Sequence, residues 1–348
     1  MMTFRRGLAN VALPMSTVWL MNDIAEAKGR QELYTQQAPQ MLNALREMAM
    51  VESVESSNRI EGVTVEPGRL RPLVLGDSRP RDRSEEEIQG YRNALNRIHA
   101  ASADLLMTPA TWRDLHRTIQ EGAGDAGKYK GIDNDIIEFR PGHPPRVRFQ
   151  TLRRELVPAA VEETCLLYRH AIDQQHVPDI VAVACLVFDF LCIHPFRDGN
   201  GRVSRLLTVL GLYHHGIEVG RYISLERLIE ESTEDYYAVL QASSAHWHEG
   251  KHDLLPWLNY FLTIIRRAYA QFEQRAGEVK SPRGSKTALV ENAIMNLQSA
   301  FSVAEITRAC PGVSLDLIRR VLKDLQKSGR AECLGRGRNA QWRKLGTT

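Results

Sequence analysis

The stretch from 194 to 205, HPFRDGNGRVSR, gathers residue types that bind and activate phosphate groups. An almost wholly apolar run precedes it and an apolar stripe at helical spacing follows it, so we expect a loop that opens a helix. Backbone N–H groups at a helix N-terminus favour an anion, and glycines let that anion approach the backbone. The stretch therefore predicts an anion-binding loop between two helices.

Five positions of this loop and of the first helical turn are predicted to meet the anion. Gly199 and Gly201 expose backbone N–H groups, and Asn200 tolerates the left-handed conformation that such a loop requires. Arg202 and Arg205 lie three residues apart on the same side of the helix, so both guanidinium groups can reach the anion.

Asp198 and His194 supply the remaining chemistry. The Asp198 carboxylate is a hard oxygen ligand beside the anion, which suits Mg²⁺ bound to phosphate. His194 ends the preceding helix on the other side of the loop, where a general base is expected. Phe196 is apolar in a polar loop and is expected to turn inward. The sequence thus predicts a phosphate and magnesium site with a base and no acidic nucleophile.

The same stretch resembles the signature of the Fic/Doc family, H-x-F-x-D/E-G-N-G-R-x-x-R. Every fixed position of that signature is matched, by His194, Phe196, Asp198, Gly199, Asn200, Gly201, Arg202 and Arg205. So many constrained positions in one short segment make the resemblance specific. It implies a mainly helical fold and transfer of AMP from ATP to a hydroxyl side chain of a target protein, or of the protein itself, with release of pyrophosphate.

The resemblance also implies a role for each residue of the site. His194 would take the proton of the target hydroxyl, and Asp198 would hold Mg²⁺ between the α- and β-phosphates of ATP. Arg202 would stabilise the charge on the phosphates, and Arg205 would bind the γ-phosphate. The loop glycines and the asparagine would surround the phosphates, so that catalysis depends on positioning and electrostatics.

A second motif lies far upstream of the first. Ser57, Glu61 and Gly62 match S/T-x-x-x-E-G/N, which resembles the inhibitory helix of family members that carry their own inhibitor. Glu61 would pair with Arg205 and keep it from the γ-phosphate. The alternative is that Glu61 is an ordinary surface charge on a helix.

Residues 135–140 and 146–150 are predicted to form an irregular β-hairpin. This hairpin resembles the target-docking flap of the family, which would accept the backbone of the target as an added strand. The residues assigned to the flap are Asp135, Ile136, Ile137 and Glu138.

Two other positions bear on the resemblance. Tyr236 and Tyr237 belong to a segment that resembles the element closing the adenine side of the nucleotide pocket. Lys130, just before the flap, departs from the family because an arginine is common there.

The rest of the chain is also predicted to be helical. Apolar residues recur at helical spacing at 36–60, 84–104, 109–120, 152–172, 179–193, 201–214, 233–247 and 252–275. A polar stretch at 278–286 with Pro282 and Gly284 marks the best domain boundary. We therefore expect an N-terminal helical region (1–105), a Fic-type catalytic domain (106–277) and a C-terminal domain (286–345).

The C-terminal domain is predicted to be a winged helix-turn-helix. The sequence predicts a helix at 286–299 and two further helices after it. Ser302 to Glu305 matches a capping box, and apolar and polar residues alternate over 331–345 as in a hairpin. From 280 to 348 there are 13 Lys and Arg against 5 Asp and Glu. The charges expected to contact DNA phosphates are Arg319, Arg320, Lys323, Lys327, Arg336, Arg338, Arg343 and Lys344. The alternative is a dimerisation or protein-docking domain, which leaves a homodimer open.

The 348 residues are 43% hydrophobic and 25% charged, which excludes a disordered, collagen-like or coiled-coil chain. Five scattered cysteines without zinc-ligand or disulfide spacing predict reduced thiols in a cytoplasmic protein. The alternative is export, because Arg5 and Arg6 precede an apolar run at 7–21 that could be a signal peptide, although Pro14, Ser16 and Thr17 interrupt the run and no clear cleavage site closes it. The run at 180–193 is too short to span a bilayer, so no membrane partner is expected.

Two other activities fit the same residues. Glu61 could orient a water that removes AMP from a modified protein, or the domain could sense nucleotide for a DNA-binding regulator. The intact His194, Asp198 and Arg202 disfavour a purely degenerate sensor. Members of the family also transfer groups other than AMP. A P-loop NTPase is excluded, because the chain has no Walker A sequence.

Overall fold

A computed structural model describes residues 2–6, 8, 11–35, 39–76, 78–138, 144–277, 287, 290–291, 293–294, 300–310, 313–335 and 340–345. The chain divides into two compact units, Met1–Glu273 and Gln274–Thr348. The stretch at 278–286 that was predicted as a domain boundary lies outside the described residues, as does most of the helix predicted at 286–299.

The first unit is mainly helical, as predicted. Its helices are α1 (Met15–Thr35), α2 (Pro39–Ile60), α3 (Pro67–Leu75), α4 (Arg83–Ala101), α5 (Pro109–Ile119), α6 (Val157–Asp173), α7 (Asp179–Ile193), α8 (Asn200–His214), α9 (Leu225–Glu230), α10 (Thr233–Ser244) and α11 (Leu255–Gly277). Between α5 and α6, β1 (Ile136–Glu138) and β2 (Arg146–Phe149) pair antiparallel, with Ile137 opposite Val147. The predicted hairpin strands are therefore present, while its tip at 139–143 lies outside the described residues.

Three helices were not predicted from the sequence. The first of them, α1, uses the later part of the apolar run at 7–21 and buries Ile24 and Ala27 in the core. A proline, Pro72, lies inside α3, and proline normally argues against a helix. The third, α9, has only six residues, too few for a periodic pattern.

Two helix starts show how local polar groups set the boundaries. The sequence predicts that α4 opens at Ser84, but the capping residue is Asp82, whose carboxylate accepts the Glu85 N–H at 2.9 Å. Thr108 caps α5 by accepting the Thr111 N–H at 3.2 Å, which agrees with the predicted helix start at 109. Helix α4 therefore begins at Arg83, one residue before the predicted start at 84.

The centre of the first unit is α7, in which nearly every side chain is buried. Its one charged interior residue, Asp189, accepts hydrogen bonds from the Thr3 N–H at 2.8 Å and from Trp247 Nε1 at 2.8 Å. Burial raises the pKa of Asp189 to about 6. Against α7 packs α8, where a Cβ on Gly211 would lie 2.8 Å from Val183 Cγ1. This close contact fixes the loop at 194–199 between two rigid helices.

The second unit has its own small core and sheet. Its elements are β3 (Phe301–Ser302), α12 (Val303–Ala309), α13 (Leu315–Lys327), β4 (Ala331–Cys333) and β5 (Gln341–Lys344). The strands form an antiparallel sheet in the order β3, β5, β4. The predicted capping box of Ser302 and Glu305 is confirmed. The assignment as a winged helix-turn-helix stays a prediction, and Arg336 and Arg338 of the predicted wing lie outside the described residues.

Within the described residues, no helix is long and apolar enough to cross a membrane. The five cysteines are free thiols, four of them buried and Cys333 half-buried.

Candidate active site

The loop between α7 and α8 is shaped by two residues in the left-handed region. His194 follows α7 with φ +52°, and Gly199 precedes α8 with φ +75°. Asn200, expected to be the left-handed residue, is instead the first residue of α8. Its buried side chain closes the loop, because Oδ1 accepts the Phe196 N–H at 3.0 Å and Nδ2 donates to the Phe196 carbonyl at 2.8 Å.

Phe196 turns inward, which confirms the prediction for this residue. Its ring stacks on His116 of α5, with centroids 3.9 Å apart. The Gly127 N–H donates to His116 Nδ1, so His116 Nε2 carries the proton and donates to the Asp198 carbonyl at 3.1 Å. Burial lowers the pKa of His116 to about 4, so its imidazole stays neutral while it makes these two hydrogen bonds. Nothing in the local sequence pattern had indicated His116.

His194 is neutral near physiological pH. Burial, followed by the nearby Lys130 charge, lowers the pKa of His194 to about 4. Two hydrogen bonds hold Lys130 next to the loop that begins at His194. Its backbone N–H donates to the Pro195 carbonyl at 2.9 Å, and its Nζ donates to Thr151 Oγ1 at 2.6 Å. A neutral imidazole can accept a proton, which is what a general base requires.

Arg205 and Glu61 meet in the structure. The Arg205 side chain is 3% exposed, and its Nη2 donates to Glu61 Oε1 at 2.7 Å. Ser57 completes the pairing, because its Oγ and its carbonyl each accept from Arg205 at 2.8 Å. Glu61 lies in the turn just after α2, and Gly62 ends that turn with φ +80°.

The Glu61 carboxylate lies against the start of α8. A Cβ built on Gly201 would fall 2.1 Å from Glu61 Oε1, so the carboxylate fills the space beside that glycine. The first N–H groups of a helix have no partner within the helix and attract anions. Glu61 therefore lies beside the predicted anion site.

Arg202 does not share the partners of Arg205. Its side chain is 2% exposed, and Nη1 lies 2.5 Å from Glu87 Oε2 on α4. The same nitrogen lies 3.4 Å from Asn58 Oδ1 on α2. Glu87 was not singled out from the sequence. No spacing in the sequence links Glu87 to Arg202.

Asp198 lies on the solvent-exposed side of the site. Its side chain is 70% exposed and lies 3.9 Å from Arg202 Nη2. Oδ1 accepts the Gly199 N–H at 2.6 Å, and Oδ2 accepts from Gln120 Nε2 at 3.3 Å. In the part of the chain that the structure describes, no three His, Cys, Asp or Glu residues group as metal ligands. Mg²⁺ commonly takes one carboxylate together with substrate phosphates, so Asp198 fits Mg²⁺ if phosphate completes the coordination.

The flap contacts Tyr237, one of the two tyrosines assigned to the nucleotide pocket. In β1, Ile137 is 48% exposed, and Ile136 and Glu138 flank it. Arg148 of β2 donates to the Tyr237 carbonyl, and its guanidinium lies 4.7 Å from the Tyr237 ring centroid. Asp135 fixes the base of the flap by accepting the Thr151 N–H at 3.3 Å. Tyr236 is buried and lines a small apolar cavity beside Arg205.

The Fic/DOC family model matches residues 106–212, which run from just before α5 through the flap and the loop to α8. Residues 106–212 belong to the Fic/DOC family. Proteins of this family generally transfer a nucleoside monophosphate to proteins. Proteins with such a domain are typically transferases that modify proteins with nucleotides.

Solved structures with a Fic domain share the fold. A Fic family protein from Desulfovibrio desulfuricans G20 is 19% identical with a TM-score of 0.63, covering 97% of this chain and 98% of its own. A Fic domain containing signaling protein from Bacteroides thetaiotaomicron VPI-5482 is 21% identical with a TM-score of 0.60, covering 73% and 98%. Fic-1 from C. elegans is 20% identical with a TM-score of 0.55, covering 77% and 74%. These likenesses extend the shared fold beyond the matched segment.

Asn200→Ala should loosen the loop at 194–199 while the helices around it stay folded. The buried Phe196 N–H loses its acceptor, at a cost of about 1–3 kcal/mol, whereas the Phe196 carbonyl keeps the Asn134 donor. Amide hydrogen exchange at residues 194–199, followed by mass spectrometry, should become about tenfold faster or more. Asn200→Asp retains an acceptor and should accelerate exchange less. Unchanged exchange in Asn200→Ala would show that this side chain does not close the loop.

Proposed function

We propose that this Fic/DOC protein transfers AMP from ATP to a hydroxyl side chain of a target protein, and that Glu61 holds it inactive. The position of the Glu61 carboxylate, on Arg205 and against Gly201, carries the proposal. A carboxylate and a phosphate are both anions that favour a guanidinium and a helix N-terminus. They therefore compete for one place.

The side chains around the loop fit each step of AMP transfer. Neutral His194 takes the proton of the target hydroxyl as the oxygen attacks the α-phosphorus of ATP, and pyrophosphate leaves. Arg202 and the first N–H groups of α8 bind the negative charge on the phosphates. Asp198 would hold Mg²⁺, which would neutralise phosphate charge when bound.

The strength of the block follows from the kind of contact. A hydrogen bond between charged groups contributes about 1.5–3 kcal/mol, so the unblocked arrangement is a minority of roughly 1–10%. Removing Glu61 leaves Arg205 with its two bonds to Ser57, which keep the guanidinium in place. Transfer should then rise because a larger fraction of the protein can bind ATP productively.

The flap supports a protein as the acceptor. The two strands β1 and β2 form a sheet of their own, and Ile137 and Val147 are about half exposed and opposite each other. An extended target segment can add a strand to such an edge through main-chain hydrogen bonds. Residues of the same chain that reach the flap would be modified in the absence of a target.

We propose a second function, contact with DNA, for the second unit. Its helix α13 buries Ile318, Val321, Leu322 and Leu325. The opposite face exposes Arg319, Arg320, Lys323 and Lys327, which could contact phosphates. Phosphate contacts of this kind give binding that weakens with salt.

Glu61→Gly should raise transfer about 10–100-fold, because the competing carboxylate is gone while Arg205 stays in place. The measurement is incubation with radiolabelled ATP, read as labelled protein on a gel, with self-modification as the signal when no target is present. Arg205→Ala should be inactive, and adding Glu61→Gly to it should give no gain.

A Glu61→Gly protein no more active than wild type, with ATP bound equally, would contradict inhibition by Glu61. Release of AMP from a modified target by wild type but not by Glu61→Gly would instead assign Glu61 to AMP removal.

His194→Ala in the Glu61→Gly protein should abolish transfer and leave ATP binding intact, since only the proton acceptor is lost. The pKa of about 4 gives a second test, because a lowered pKa keeps the imidazole neutral as the pH falls. Transfer by Glu61→Gly should therefore hold nearly constant from about pH 8 to about pH 6. A rate that halves near the ordinary histidine pKa of about 6.5 would contradict this environment for His194.

Arg319→Ala with Arg320→Ala should weaken DNA binding about tenfold and reduce its salt dependence. The measurement is fluorescence anisotropy of a mixed-sequence DNA duplex between about 50 and 200 mM salt. Arg330→Ala, which removes a charge that faces Glu291 at 3.8 Å, is the matched control and should change little. Absence of binding by wild type at low salt would reject DNA as a partner.

A further inference from the structure

A ring of polar side chains joins α4 and the end of α5 to the loop between α7 and α8 and to the start of α8. Arg202 Nη1 lies 2.5 Å from Glu87 Oε2, and Arg83 Nε lies 3.1 Å from Glu87 Oε1. Arg83 Nη2 donates to Gln120 Oε1 at 3.2 Å, and Gln120 Nε2 donates to Asp198 Oδ2 at 3.3 Å. The 3.9 Å between Asp198 Oδ2 and Arg202 Nη2 completes what we call the polar ring.

The polar ring has an inner and an outer part. Arg202 and Gln120 are buried and the Glu87 side chain is 13% exposed, whereas Arg83 and Asp198 are 61% and 70% exposed. A buried guanidinium without a counter-charge is costly, so the position of Arg202 depends on Glu87. Arg83 and Gln120 extend that order to the Asp198 carboxylate.

The guanidinium of Arg202 presents two different edges. Glu87 and Asn58 take Nη1, while Nη2 faces Asp198. Its Nε is buried and has no hydrogen-bond partner within the described residues. A guanidinium is a rigid planar fork, so fixing one nitrogen with a carboxylate also fixes the direction of the others. Glu87 thus leaves Nη2 and Nε for a ligand beside Asp198.

Glu87 and Glu61 are placed differently towards the anion site. The atoms nearest to a Cβ on Gly201 belong to Glu61 and Arg205, and none belongs to Glu87. Glu87 is also part of α4, a helix anchored by buried Ile88 and Tyr91. It can therefore hold Arg202 whether or not Glu61 is withdrawn.

We propose that Glu87 is a positioning residue that aims Arg202 at the phosphates of ATP. This inference rests on the proposed function in one respect, namely that Arg202 contacts nucleotide phosphate. Glu87 acts through Arg202 and does not touch the nucleotide. Loss of its charge therefore weakens binding of phosphates but not of the nucleoside.

The test is calorimetric titration of ATP, with Mg²⁺ in excess, and of adenosine into variants of the Glu61→Gly protein. Glu87→Gln keeps the shape of the side chain and removes its charge. It should weaken ATP binding about tenfold and leave adenosine binding unchanged. Glu86→Gln, which alters an exposed neighbour on the same helix, is the control and should match the parent.

A double-mutant cycle with Arg202→Ala separates positioning from other effects. Arg202→Ala should weaken ATP binding at least as much as Glu87→Gln, and the double variant should be no weaker than Arg202→Ala alone. In the transfer assay, Glu87→Gln should raise KM for ATP more than it lowers kcat.

Each other result overturns the inference in a distinct way. Parent-like or tighter ATP binding by Glu87→Gln, with Arg202→Ala still weakened, rejects the role of Glu87 and leaves the proposed function standing. Additive losses, or equal loss of adenosine binding, would assign Glu87 a general structural role. ATP binding unaffected by Arg202→Ala rejects the phosphate contact of the proposed function, and this inference with it.

Discussion

The guanidinium of Arg205 is a buried positive charge, and the rest of the site depends on how that charge is paired. Burial works against the charge, yet the Glu61 carboxylate raises the pKa of Arg205 above its usual value. A buried charge that loses its partner costs several kcal/mol. Its partners Ser57 and Glu61 come from α2 and the turn after it, so the charge ties α2 to α8. The N-terminal helices are accordingly part of the same compact unit as residues 106–212.

A second buried carboxylate holds α2 in place. Glu226 on α9 is 1% exposed and accepts hydrogen bonds from Ser53 Oγ at 2.6 Å and from Tyr91 OH at 2.9 Å. The Ser53 contact ties α2 to α9, and Tyr91 ties α4 to the same carboxylate, whereas Glu61 lies beyond the last residue of α2 in a turn. In the proposed function, Glu61 can therefore leave Arg205 by rotation within a short turn while α2 stays docked.

The sequence predicted the parts of the site that local spacing determines. Periodicity placed α7 and α8, and the motif between them brought His194 to the end of one helix and the glycines to the start of the next. Long-range pairing could not be predicted in the same way, since Glu87 lies on α4 and meets Arg202 only after the helices pack. Asn200 was expected from the sequence to be the left-handed residue, but Gly199 adopts that conformation. Asn200 instead begins α8, and its side-chain amide hydrogen-bonds the Phe196 backbone.

Two carboxylates pair with two arginines in this site, and the exposure of each carboxylate bears on which of the two ATP would displace. In the proposals, Glu61 offsets the charge of Arg205 and must leave before phosphate binds there, whereas Glu87 stays and fixes the direction of Arg202. Either departure leaves a buried guanidinium without its counter-charge, but Glu87 is only 13% exposed and has little access to water. Glu61 is 29% exposed, so water can solvate it as it turns outward. In the two proposals, the same type of side chain therefore regulates the site at one position and orients it at the other.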